Sequence, residues 1–134
     1  AEPVDYCQQM STPVIKVVHV HADREVAQET ARVLGEVERY THAGAMVTLD
    51  RHSRTTPGGA GRAFDWAIAE EVARRFPILL AGGLTPDNVA QAIHQVHPWG
   101  VDVSSGVETD GVKDSEKIMA FLERIRHADS GVPA

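Results

Sequence analysis

Cysteine is almost absent from this chain of 134 residues: Cys7 stands alone. That excludes an internal disulfide framework and a cysteine metal cluster, and it fits a reducing compartment. Basic excess is missing too. Lys and Arg number 13 against 19 Asp and Glu, for a formal net charge of −6. The basic stripe expected of a nucleic-acid binder is therefore lacking. No apolar run approaches the roughly 20 residues of a membrane span. The first residues, Ala1-Glu-Pro-Val-Asp5, have neither the basic start nor the apolar core of a signal peptide. These absences predict a cytoplasmic protein with no nucleic-acid and no membrane partner.

What is present alternates between strand and helix patterns. Pro3 to Met10 reads as the end of a helix. Val14-Ile-Lys-Val-Val-His-Val20 is β-branched and reads as a buried strand. Residues 23–40 carry apolar side chains at helical spacing, with Asp23 as a candidate cap. A second strand is expected over Ala45-Met-Val-Thr-Leu-Asp50, then a loop over 51–62 and a helix over 64–76 with Asp65 near its start. A third strand, 77–81, leads into Thr85-Pro-Asp-Asn88, where Thr caps, Pro takes the first turn and an acid stands beside it. That helix should run to about His97. A fourth strand over 100–103 and a last helix over 115–126 complete the pattern. No linker divides the chain, so a single domain over 1–134 is expected. Short apolar strands separated by helices should lie parallel with their faces covered. Right-handed crossovers then leave two α/β arrangements, an open doubly wound sheet or a curved barrel segment. Both place functional residues at the C-terminal strand ends.

Two strand ends look built for an anion. Gly82-Gly83 follows the third strand directly, and Ser104-Ser105-Gly106 follows the fourth. Glycines allow close backbone approach, and successive N–H groups bind phosphate well. The plain alternatives are a tight strand-to-helix turn and a serine cap. Residues 107–114 read as a short extra helix or turn, and a small helix beside the last two strand loops is a recognised phosphate device in barrels. Asp50 ends the second strand and Asp102 lies within the fourth. Carboxylates at the mouth suit acid–base work or hydrogen bonding to a polyol; each could instead be structural. Pro57-Gly-Gly-Ala-Gly-Arg62 lacks the nucleotide-loop pattern and reads as a mobile lid. Arg51, Arg54 and Arg62 could hold an anion there, although such arginines are more often solvated. His19, His21, His52 and Asp50 would form a metal site only if strand pairing converged them, and no metal is expected. Cys7 reads as a half-buried structural thiol, and Trp66 and Trp99 as packing residues.

Leu80-Ala-Gly-Gly-Leu-Thr-Pro-Asp-Asn-Val89, Val101-Asp-Val-Ser-Ser-Gly-Val-Glu108 and Gly111-Val-Lys-Asp114 closely resemble the phosphoribosylanthranilate isomerases of tryptophan biosynthesis. So do Thr48-Leu-Asp50 and Gly58-Gly-Ala-Gly-Arg-Ala-Phe-Asp-Trp66, and Val14-Ile-Lys-Val17 matches that family's fifth strand. The resemblance implies a TIM (βα)8 barrel and a cofactor-free Amadori rearrangement of an aminoaldose phosphate to an aminoketose. It implies Asp50 as the general acid that protonates the ribose ring oxygen. It implies Asp102 as a partner of the ribose hydroxyls, and the backbone of Gly82, Gly83, Ser104, Ser105 and Gly106 as the phosphate site. The Gly58-to-Trp66 segment argues against a related phosphate barrel such as indole-glycerol-phosphate synthase or a sugar-phosphate epimerase.

Two departures matter. Arg62 replaces a common lysine, a mild change. The family's first-strand motif Lys-Ile-Cys-Gly, whose cysteine is the general base, does not occur, nor does the arginine that follows the family's own second strand. Cys7, in Asp5-Tyr-Cys-Gln-Gln9, is not that cysteine. The chain therefore resembles the C-terminal part of the family, the fourth helix onward with strands five to eight: a partial barrel of about four βα units. Half a barrel exposes strand edges and an apolar interior. It is expected to pair with a separate N-terminal half-barrel, to self-associate, or to be part of a longer enzyme. By itself it is expected to bind phosphate weakly and not to turn over, with His19, His21 and His52 the first substitutes for a base.

Overall fold

The computed structural model describes residues 13–21, 24–52 and 59–130. The helix end over 3–10, Cys7, Asp23 and Arg54 lie outside them, as do Pro57 and Gly58 and the side chains of Arg51, His52 and Arg62; the rest of the expected lid, Gly59 to Arg62, is helical and not a loop.

Four strands, β1 (Ile15–His21), β2 (Met46–His52), β3 (Ile78–Leu80) and β4 (Gly100–Val101), pair in parallel in the order β1-β2-β3-β4. Helices α1 (Val26–His42), α2 (Gly59–Ala73) and α3 (Val89–Val96) connect them, and α4 (Ser115–Asp129) closes the described chain. Strand order that follows the sequence has no switch point, so the doubly wound alternative falls. The α/β class and the parallel pairing are as expected.

The core lies between one sheet face and the helices. Val18, Val20, Val47, Leu49, Ile78 and Leu80 from the sheet join Val33, Val37, Ile68, Val72, Val89 and Val96 from the helices in one buried cluster. Lys16 is buried on this same face, its ammonium 5.1 Å from the centre of the Tyr40 ring. The aromatic face offsets part of the desolvation of that charge. The other sheet face departs from the expectation that both are covered. Ile15 is 62% exposed and Val17 44%. Apolar residues occupy both faces of β1, but the helices pack on one alone, and the sequence pattern does not reveal which face is covered.

A charged cluster fixes the first βα unit. The Glu29 side chain, fully buried in the first turn of α1, accepts from the His21 backbone N–H and from Arg32 Nε and Nη2, both at 2.8 Å. Arg32 also donates to the His19 carbonyl at 2.6 Å and to Glu36 at 2.9 Å. Burial pushes the Glu29 carboxyl up, but the Arg32 and His21 hydrogen bonds outweigh it and hold it below the usual carboxylate range.

Four further expectations are corrected. The loop placed over 51–62 is shorter, since β2 runs on to His52 and α2 begins at Gly59. Continued pairing with β1 (Val20↔Arg51, His21↔His52) carries β2 past Asp50. Asp65 is accordingly well inside α2 and not near its start. Residues 107–114 form no extra helix beyond the 3-10 turn Ser105–Val107. They form an antiparallel hairpin, β5 (Glu108–Thr109) and β6 (Val112–Lys113). Its turn, Asp110-Gly111, has φ of 52° and 78°, the left-handed pair that a two-residue hairpin turn needs. Trp66 packs as expected at 5% exposure, whereas Trp99 is 69% exposed. It precedes β4, where the helix layer does not cover it.

Candidate active site

Pairing register carries Asp50 and Asp102 to one end and one face of the sheet. His19 stands opposite Asp50, and Val17 opposite Thr48. Thr48 in turn pairs with Leu79, and Leu79 with Gly100. Alternation then places His19, Asp50, Ala81 and Asp102 on the face turned away from the helices. Asp50 is half-buried and Asp102 exposed. Asp102 lies just past β4 rather than within it, although its N–H still donates to the Leu80 carbonyl at 2.9 Å. β4 is short because the Ser104 turn begins at once. Among the described residues, no group of three His, Cys, Asp or Glu side chains could hold a metal ion.

The two small-residue turns sit beside these acids. Gly82 and Gly83 have φ of 94° and 72°, a conformation that penalises any side chain. Asn88 grips this turn. Its amide donates to the Gly83 carbonyl at 2.9 Å and its oxygen accepts from the Thr85 N–H at 2.8 Å. The Thr85 hydroxyl accepts from the Asp87 N–H at 3.2 Å, but Thr85 is not the cap expected of it: Asn88 stands at that position and makes no side-chain cap bond. Helical bonding starts with Val89 N–H to the Thr85 carbonyl, so α3 proper begins three residues later than the expected helix.

Gly106 joins the two turns. A Cβ built on it would lie 1.8 Å from the Leu84 carbonyl oxygen and 2.9 Å from its carbon. Real contacts of this kind stay above about 3 Å, so only glycine lets the backbones meet. Ser104 does not act as a cap for the turn that follows. Its carbonyl accepts from Lys113 Nζ at 2.9 Å, and its hydroxyl is 3.3 Å from the same ammonium. Lys113 also pairs with Glu108 at 2.5 Å. Asp114 caps α4 through the N–H groups of Glu116 and Lys117 and accepts from the Thr109 hydroxyl. The Thr109 bond, with those amides, holds its carboxyl below the usual range.

Asn88, Glu108 and Lys113 were not among the expected site residues. Asn88 carried a signal, since Thr-x-x-Asn resembles a capping box whose last residue reaches back to the cap N–H. Lys113 carried a weaker one in the Asp110-Gly111 hairpin turn, which aims β6 back at the Ser104 turn.

The family model for N-(5'phosphoribosyl)anthranilate (PRA) isomerase matches residues 1–124. The chain belongs to the phosphoribosylanthranilate isomerase family. It is 41% identical over 128 residues to N-(5'-phosphoribosyl)anthranilate isomerase of Dehalococcoides mccartyi, covering 96% of this chain and 58% of that one. The phosphoribosyl anthranilate isomerase structure from Thermococcus kodakaraensis superimposes with a TM-score of 0.76 at 38% identity, over 91% of this chain and 56% of that one. A second isomerase structure, in complex with reduced 1-(o-carboxyphenylamino)-1-deoxyribulose 5-phosphate, gives a TM-score of 0.67 at 31% identity, over 93% and 55% of the two chains. The chain thus spans a little over half the length of the isomerases it matches. Its parallel α/β sheet is the one those isomerases share.

Proposed function

We propose that this chain supplies the general acid and the phosphate site of a phosphoribosylanthranilate isomerase. The observation that carries the reading is the backbone contact of Gly106 with Leu84, which unites two glycine turns beside the Asp50 face. The substrate phosphate binds the N–H groups around Gly82, Gly83, Ser105 and Gly106, with the Ser104 hydroxyl beside them. Asp102, exposed at the same mouth, accepts from the ribose hydroxyls. Asp50, as general acid, gives a proton to the ring oxygen as the C1–O bond breaks, leaving an iminium at C1 that acidifies the proton on C2. A base then removes the C2 proton, and the enolamine relaxes to the aminoketose. No cofactor enters this sequence. The relative holding a reduced aminodeoxyribulose phosphate supports a phosphorylated small-molecule substrate.

In this reading residues 1–134 form a single partial (βα) barrel of four units in a cytoplasmic enzyme. Sequential strand order, helices on one sheet face and the exposed Ile15 and Val17 on the other support it. The cysteine base of the Lys-Ile-Cys-Gly motif does not occur among these residues. The 134-residue polypeptide alone is therefore expected to bind phosphate weakly and to turn nothing over. An N-terminal half-barrel, rather than a second copy, would bring the base.

The test is isomerase activity of the purified chain, with and without an added N-terminal half from a relative. Activity only on addition, lost in Asp50→Asn, is the expected result. Turnover by the chain alone would overturn the inactivity and point to His19, which shares the Asp50 face. A folded complex with no activity would overturn the catalytic reading of Asp50.

A further inference from the structure

We propose that Lys113 is a positioning residue for the phosphate site, fixing the Ser104–Ser105 peptide so that the Ser105 N–H faces the anion. The inference rests on the phosphate reading above and deepens it.

In a trans peptide the carbonyl and the following N–H point in opposite directions. Whatever holds the Ser104 carbonyl therefore sets the direction of the Ser105 N–H. Lys113 Nζ holds it at 2.9 Å. The Val107 N–H also reaches that oxygen, at a longer 3.4 Å. A cation on the carbonyl polarises the whole peptide, making its N–H a stronger donor.

The geometry argues against direct contact between Lys113 and phosphate. An ammonium has three donors, and Ser104 O, Ser104 Oγ and Glu108 Oε2 account for all of them. Because the Ser104 hydroxyl accepts from Lys113, its own hydrogen is directed elsewhere, available to an anion. The lysine is itself held in place. It sits on β6, whose pairing with β5 is closed by the Asp110-Gly111 turn, and Lys117 Nζ holds the Glu108 carbonyl at 2.8 Å. The hairpin thus works as a lever that transmits the position of α4 to the Ser104 turn.

The test is titration of the 134-residue chain with inorganic phosphate, followed by amide shifts, in the unsubstituted chain and four variants. Lys113→Met should weaken binding about tenfold, the value of one charge-assisted donor. It should also shift the phosphate-free Ser105 amide proton upfield. Lys113→Arg should restore both. Lys113→Gln, which keeps donors but not the charge, should fall between. Arg126→Met removes a like charge from the exposed face of α4 and should stay within about twofold. Equal losses in Lys113→Gln and Arg126→Met would overturn the proposal, leaving only general charge attraction. So would unchanged affinity in Lys113→Met. Unchanged affinity there would leave the phosphate reading standing, whereas no shift at Ser105 and Gly106 in the unsubstituted chain would overturn both.

Discussion

Replacing Gly106 by alanine gives the sharpest test of the two-turn site. The added methyl would stand 1.8 Å from the Leu84 carbonyl oxygen. An ordinary contact needs about 3.3 Å, so the backbones must part by about 1.5 Å. Neither side can yield cheaply. The obstacle is backbone on a turn whose neighbouring carbonyl, Gly83, is gripped by the Asn88 amide. Overpacking of this kind costs about 1–3 kcal/mol of stability. The functional loss should be larger, because a 1 Å misplacement of binding groups can cost about a hundredfold. In the assembly reconstituted with an N-terminal half, Gly106→Ala should lower kcat/KM by about a hundredfold, mostly through KM. Thermal unfolding should show a folded variant with a lowered midpoint. Wild-type kcat/KM in a folded Gly106→Ala variant would refute the reasoning, since the turns would then not act as a unit.

Two other substitutions probe the scaffold. Gly35 lies within α1 with open space where a Cβ would stand, so Gly35→Ala should raise the unfolding free energy by about 0.5–1 kcal/mol in urea melts. Glu29→Gln removes a carboxylate whose pKa is lowered on folding. That contribution is present above the unfolded carboxylate value and is lost as pH falls through the lower folded value. The variant should lose about 1–3 kcal/mol at neutral pH, and its stability should fall less steeply below the ordinary glutamate range. Parallel acid limbs for the two proteins would refute the assignment.

Much of the framework could be read from the sequence because it rests on local pattern. The strands expected over Val14–Val20 and Ala45–Asp50 form within a residue or two of those bounds, and Ser115 opens the last helix as expected. The misses have local causes. The run of glycines before Phe64 has poor helix propensity, yet α2 begins at Gly59. The hairpin at 108–113 was announced by Asp110-Gly111, but its strands are two residues each, too short for alternation to register. At the site, residue types were legible and contacts were not. Asp50 and Asp102 could be placed near the mouth from strand ends alone. The meeting of Gly106 with Leu84 and of Lys113 with Ser104 depends on how two loops fold over each other, which no periodicity encodes.

The inward turn of Lys16 has a consequence for handling the protein. Edge strands are commonly guarded by an outward lysine, whose charge resists pairing with another chain. On β1, which among the described residues pairs with β2 alone, the lysine lies beneath Tyr40 while Ile15 and Val17 face out. The strand has spent its one guard charge on the core. Concentrating the isolated polypeptide should therefore drive it toward edge-to-edge aggregates, and an acidic residue in place of Val17 is the natural way to keep it in solution.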